Sequence, residues 1–126
     1  MNRVFCPLAC IVLFLAGCGH RHAENVDSDD AGKSLGVALE AWKGGKTPAE
    51  LEGQQPSIIM NDMDWAGGAK LLDYKLNDAG SLDGRQMRWV AQLKLQDKAG
   101  KVSERKATYI IDTIPRIVIV RDTFAR

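Results

Sequence analysis

The sequence predicts an α+β fold, with one N-terminal amphipathic helix packed on a curved antiparallel sheet of four to five strands. Three observations predict it. Leu35, Ala38, Leu39 and Trp42 recur at i, i+3, i+4 and i+7, which draws one apolar stripe along a helix. Beyond Pro56 the period changes to two: Met87, Trp89, Ala91, Leu93 and Leu95 alternate with Arg88, Val90, Gln92, Lys94 and Gln96. Reversals rich in Gly, Asn and Asp separate the β-forming runs, and a helix followed by strands is the α+β order.

Taken in order, Asp29 and Asp30 suit the N-terminus of the first helix and Gly44-Gly45 its end. Trp42, on the apolar stripe, is expected in the core. Thr47-Pro48-Ala49-Glu50 has the capping-box form and opens a short helical turn that ends by Gly53. Ser57 to Asn61 is a short strand, and Asp62 to Gly68 is a turn or a helical turn. Leu72, Tyr74 and Leu76 alternate with polar neighbours, as in a half-buried strand. Asn77 to Gly84 reads as turn-rich, and Lys98-Ala99-Gly100-Lys101 reverses the chain after the longest strand. Val102 to Asp112 returns. After the break at Pro115, Ile117-Val118-Ile119-Val120 sits between Arg116 and Arg121, a run expected in the sheet interior or under a helix or a second subunit.

Ahead of the domain, Met1-Asn2-Arg3 is a short basic start, Val4 to Leu15 is apolar, and Leu15-Ala16-Gly17-Cys18 follows. The apolar run is shorter than the roughly 20 residues a transmembrane helix needs and matches the core of a secretory signal. The four residues at its end resemble the lipobox of bacterial lipoproteins. That resemblance implies cleavage before Cys18, a diacylglyceryl thioether on its sulfur, usually an acylated amine, and a membrane held through this N-terminal lipid. Two or three acyl chains, at about 0.8 kcal/mol per buried CH₂, make such an anchor effectively permanent. Gly19 beside the cysteine favours the outer membrane in enteric-type bacteria. The implied divisions are a signal peptide at 1–17, a tether at 18–30 and a domain at 31–126. The tether is polar and would span roughly 20 Å. His20 and His22, within it, are two imidazoles without the further ligands of a metal site.

Removal of 17 of the 126 residues leaves 109, one domain's worth. Arg3 is the only charged residue removed, so 16 basic side chains face 16 acidic ones, and no net charge draws the protein to nucleic acid. Cys6 and Cys10 leave with the signal and Cys18 is consumed by lipid, so neither a disulfide nor a catalytic thiol is expected. Both histidines lie in the tether, which takes Ser-His-Asp and Cys-His catalysis out of the domain. Neither cofactor nor metal is expected.

The order of elements resembles cystatin-like and nuclear-transport-factor-like domains, including small bacterial lipoproteins with a Trp-containing helix and an Asp-x-Asp-Trp turn. The candidate polar contacts are Asp62, Asp64, Tyr74 and Tyr109. The two aspartates could offer oxygens to a divalent cation, although the full calcium loop is absent; turn and capping chemistry is the simpler role. Tyr74 and Tyr109, read as lying on neighbouring strands, suit the core or a pocket wall. Arg85, Arg88, Lys94, Lys98, Lys101, Arg105 and Lys106 read as a solvated sheet face. The function that fits best is a non-catalytic binding module of the cell envelope, facing the periplasm or outside, that engages an envelope protein or its own copy. The alternative is a small-molecule-binding protein or enzyme with a pocket between helix and sheet.

Overall fold

Helix α1 runs over Ser28–Lys43, and its first three residues are ones the sequence assigned to the tether. The computed structural model describes residues 28–125, so Cys18 and the leader lie outside the described residues. Asp29 and Asp30 stand in the first turn, where carboxylates oppose the helix dipole. Ala31, Ser34, Leu35, Ala38, Leu39, Ala41 and Trp42 form the buried stripe. The helix stops in a Schellman motif, with Lys46 N–H donating to Ala41 at 2.9 Å and Gly45 N–H to Trp42 at 3.0 Å. That motif requires a left-handed residue, and Gly45 supplies φ 85°.

Helix α2 (Pro48–Glu52) opens with the capping box read from the sequence, Thr47 and Glu50 each receiving the other's backbone N–H. Strand β1 (Ile58–Asn61) leads into the single-turn helix α3 (Met63–Ala66). Strands β2 (Lys70–Leu76), β3 (Ser81–Asp83), β4 (Gln86–Gln96), β5 (Val102–Asp112) and β6 (Ile117–Arg121) complete the chain. Among the described residues, no helix is long and apolar enough to cross a membrane.

The fold is α+β, with a curled, half-barrel sheet in the order β1-β6-β5-β4-β2 and β3 paired to β4 beside β2. This corrects two expectations. The sheet is mixed, because β1 pairs parallel to β6, with Ile58 opposite Ile117 and Met60 opposite Ile119. It also has six strands, because Ser81–Asp83, read as turn, adds a short ladder to the start of β4. A four-residue strand carries no direction in its alternation, so only its distant partner decides that β1 runs parallel.

Directly opposed residues share a face. Met87, Trp89, Ala91, Leu93 and Leu95 of β4 oppose Ile111, Tyr109, Ala107, Arg105 and Ser103 of β5 on the face turned to the core. Leu35, Leu39, Leu51, Ile58, Leu93, Ile111 and Ile119 are fully buried in that single core, at roughly 1.5–3 kcal/mol each. A bulge between Leu71 and Asp73 shifts β2, so that Leu71 and Tyr74 both face inward and Leu72, expected inside, is exposed. Strand β6 is interior in order, yet it alternates: Ile119 is buried, whereas Val120 on the outer face is exposed and no described element covers it.

Candidate functional site

Strand β1 ends at Asn61, opposite Val120, and this register lines Asp62 up with Arg121 at the end of β6. Arg121 in turn opposes Tyr109 on the inner face of β5. Sheet pairing therefore brings together three residues far apart in sequence. Asp62 is extended, at φ −134° and ψ 123°, and caps α3. Its Oδ1 accepts from the backbone N–H groups of Asp64 (2.8 Å) and Trp65 (3.2 Å). Its Oδ2 accepts from the Tyr109 hydroxyl at 2.7 Å.

Two arginines balance the two carboxylates. Arg121 Nη1 reaches Asp62 Oδ1 at 3.4 Å and also pairs closely with Asp64 Oδ2. Arg105 Nη1 lies 3.6 Å from Asp64 Oδ1. Asp62 and Tyr109 are fully buried, while the side chains of Arg121 and Asp64 are 11% and 19% exposed. Burial, together with the negative charge of Asp62 and the hydrogen bond to it, holds the Tyr109 phenol protonated well above its ordinary range. Burial works against the Arg121 charge, but the hydrogen bond to Asp64 and the carboxylates outweigh it, and its pKa is raised.

On its other side α3 is held by aromatic packing. Trp65 stacks on Trp42 with centroids 5.3 Å apart and planes 7° from parallel. Each indole N–H has a carbonyl partner, Ala69 for Trp42 at 2.9 Å and Lys46 for Trp65 at 3.0 Å. Trp42 is in the core, as its place on the helical stripe implies.

The structure thus brings Asp62, Asp64 and Tyr109 into one network and leaves Tyr74 out. Tyr74 and Tyr109 are not on adjacent strands, because β4 lies between β2 and β5. The Tyr74 hydroxyl donates to Glu40 Oε2 on α1 at 2.7 Å, and burial plus this carboxylate push its pKa up to about 12. Arg121 and Arg105 are the members that sequence reasoning missed. The sequence shows Arg121 only as the residue flanking the last apolar run and Arg105 as part of a solvated face. Only the pairing register reveals both, since Arg105 lies on the inner face while Arg88, Lys94 and Lys106 lie on the outer one.

Chemically the network satisfies itself. Among the described residues no buried side-chain polar atom lacks a partner, and no group of three His, Cys, Asp or Glu could hold a metal ion. Asp64 lines a surface depression of about 410 Å³, beside Met63 and Lys98. A larger groove of about 580 Å³ lies elsewhere, lined by Ser34 and Val37 of α1, Pro56, Ile58, Thr113 and Ile117. None of Asp62, Asp64, Tyr74 or Tyr109 lines that groove. The arrangement fits a clamp that docks α3 on the sheet. Compared with protein-family models, with curated proteins and with solved structures, the chain matches none of them.

Proposed function

We propose that this chain is a non-catalytic binding module of the bacterial cell envelope, tethered to a membrane through lipid on Cys18 and built on a cystatin-like helix-and-sheet domain. The observation that carries the reading is Leu15-Ala16-Gly17-Cys18 directly after an apolar run too short to span a bilayer. The chemistry of the domain supports it. The buried charged residues are spent on one another, and the histidine-free body lacks the usual general base near neutral pH, with Tyr109 held protonated. The partner is an envelope protein or a second copy, and the lack of an aspartate beside Cys18 mildly favours the outer membrane by the sorting rule of enteric-type bacteria.

Intact mass of the native protein tests the anchor. The expected result is a chain beginning at Cys18 with a diacyl- or triacyl-sized increment on its first residue. A mature chain with a free thiol at Cys18 would overturn it. The small-molecule reading rests on the groove between α1 and the starts of β1 and β6. If a ligand sat there, Val37→Trp would abolish its uptake while Asp62→Asn would not.

A further inference from the structure

Strand β5 is half unpaired. Strand β4 accompanies it from Val102 to Ile111, but β6 meets it only from Tyr109 to Asp112. The Asp122 N–H donates to the Thr108 carbonyl at 2.8 Å, so the polar groups of Thr108 point to the β6 side. In an antiparallel strand these directions alternate by residue. The N–H and C=O groups of Val102, Glu104 and Lys106 therefore point the same way, and no described backbone group meets them. Side chains along this stretch reach solvent: Val102 is 47% exposed and the Arg105 side chain 55%.

Such an edge is a template for another strand, and its side chains say which one. We propose that this edge pairs antiparallel with the same edge of a second copy, about a two-fold axis through Arg105. In that register Glu104 lies opposite Lys106 of the partner subunit, and the symmetric contact repeats, so two opposite-charge pairs form on the outer face. Registers centred on Glu104 or Lys106 form neither of these opposite-charge pairs. Two Arg105 side chains meet at the chosen axis, each with its own Asp64 carboxylate 3.6 Å away. Asp122 already occupies the place opposite Thr108, which limits the new ladder to Ser103–Ala107.

A ladder that short is weak in dilute solution. Tethering both copies to one membrane raises their effective concentration, and in this respect the proposal rests on the anchoring reading. The alternation of charges also discourages pairing with an unrelated apolar strand while allowing this one.

Cysteine trapping tests it in the full chain with its own leader. Residues on the axis form a non-hydrogen-bonded pair about 4.5 Å apart at Cα, close enough for a disulfide. Arg105→Cys should give a disulfide-linked homodimer on non-reducing gels, well above wild type and above Gln92→Cys on the outer face of β4. Adding Lys106→Glu should lower dimer yield by about threefold to tenfold, and adding Glu104→Lys as well should restore it. A yield no higher than the controls, a yield indifferent to charge reversal, or a mixed disulfide with another protein would overturn the proposal. The same set carrying Cys18→Ser separates pairing from anchoring. A dimer that persists there supports the pairing whatever holds the chain to a membrane. A dimer lost only there, while Arg105→Cys alone still forms it, supports pairing that depends on tethering.

Discussion

At the scale of single residues, Asp62 joins the most functions: helix cap, phenol acceptor and counter-charge to Arg121. Removing one partner of a buried pair leaves the other uncompensated, so Asp62→Ala should cost about 3–5 kcal/mol in urea denaturation. A double-mutant cycle with Arg121→Met should return a coupling of about 1–3 kcal/mol. A cost below about 1 kcal/mol would mean that the network is incidental. The tyrosines give a pH signature. Both phenols are raised above their ordinary value of 10.0, so the folded state holds their protons more tightly than the unfolded chain does. That contribution is fully present below about pH 10 and is lost as pH rises through the folded pKa, about 12 for Tyr74. Tyrosinate absorbance should stay low through pH 10 and then rise with unfolding. Free titration of both residues near 10 would contradict the burial of Tyr109.

At the scale of elements, α1 meets β4 through glycine. The Trp89 ring packs against Gly32 of α1 and Gly80 of the β2–β3 connection, and its indole N–H donates to Asn77 at 2.9 Å. A Cβ at Gly32 would lie 2.6 Å from Trp89 Cη2, whereas one at Gly36 would meet nothing within 4 Å. Both glycines are in the same helix, where Ala is favoured by roughly 0.5–1 kcal/mol. Thermal melts should therefore diverge. Gly36→Ala should raise Tm, and Gly32→Ala should lower it through overpacking of about 1–3 kcal/mol. Equal shifts would show that the ring yields freely. The helical stripe, the capping box and the long strands were legible because their signals are local and periodic. Leu72 was misplaced because a bulge is invisible to alternation, and β3 was missed because its three residues are all exposed. The Asp62 and Asp64 half of the cluster could be read from one short turn. Its arginine half could not, since Arg121 reaches Asp62 across 59 positions.

At the scale of the whole molecule, a histidine-free domain puts its buried charge into holding its own elements together. The outer sheet face carries Val90, Ile110, Val118 and Val120, and beside it half of β5 lacks a second neighbouring strand among the described residues. Each polar cluster can be altered without touching Cys18, so location and folding should separate cleanly. Asp62→Asn should weaken the domain and leave its membrane fraction unchanged. Cys18→Ser should do the opposite, releasing the protein with its denaturation midpoint unchanged. The most direct test is to fractionate cells producing the chain or its Cys18→Ser variant and to wash the membranes with high salt. Wild type should remain in the washed membranes and require detergent for release, and the variant should move to the soluble fraction. Wild type found soluble, or the variant still bound after the wash, would contradict a lipid anchor at Cys18.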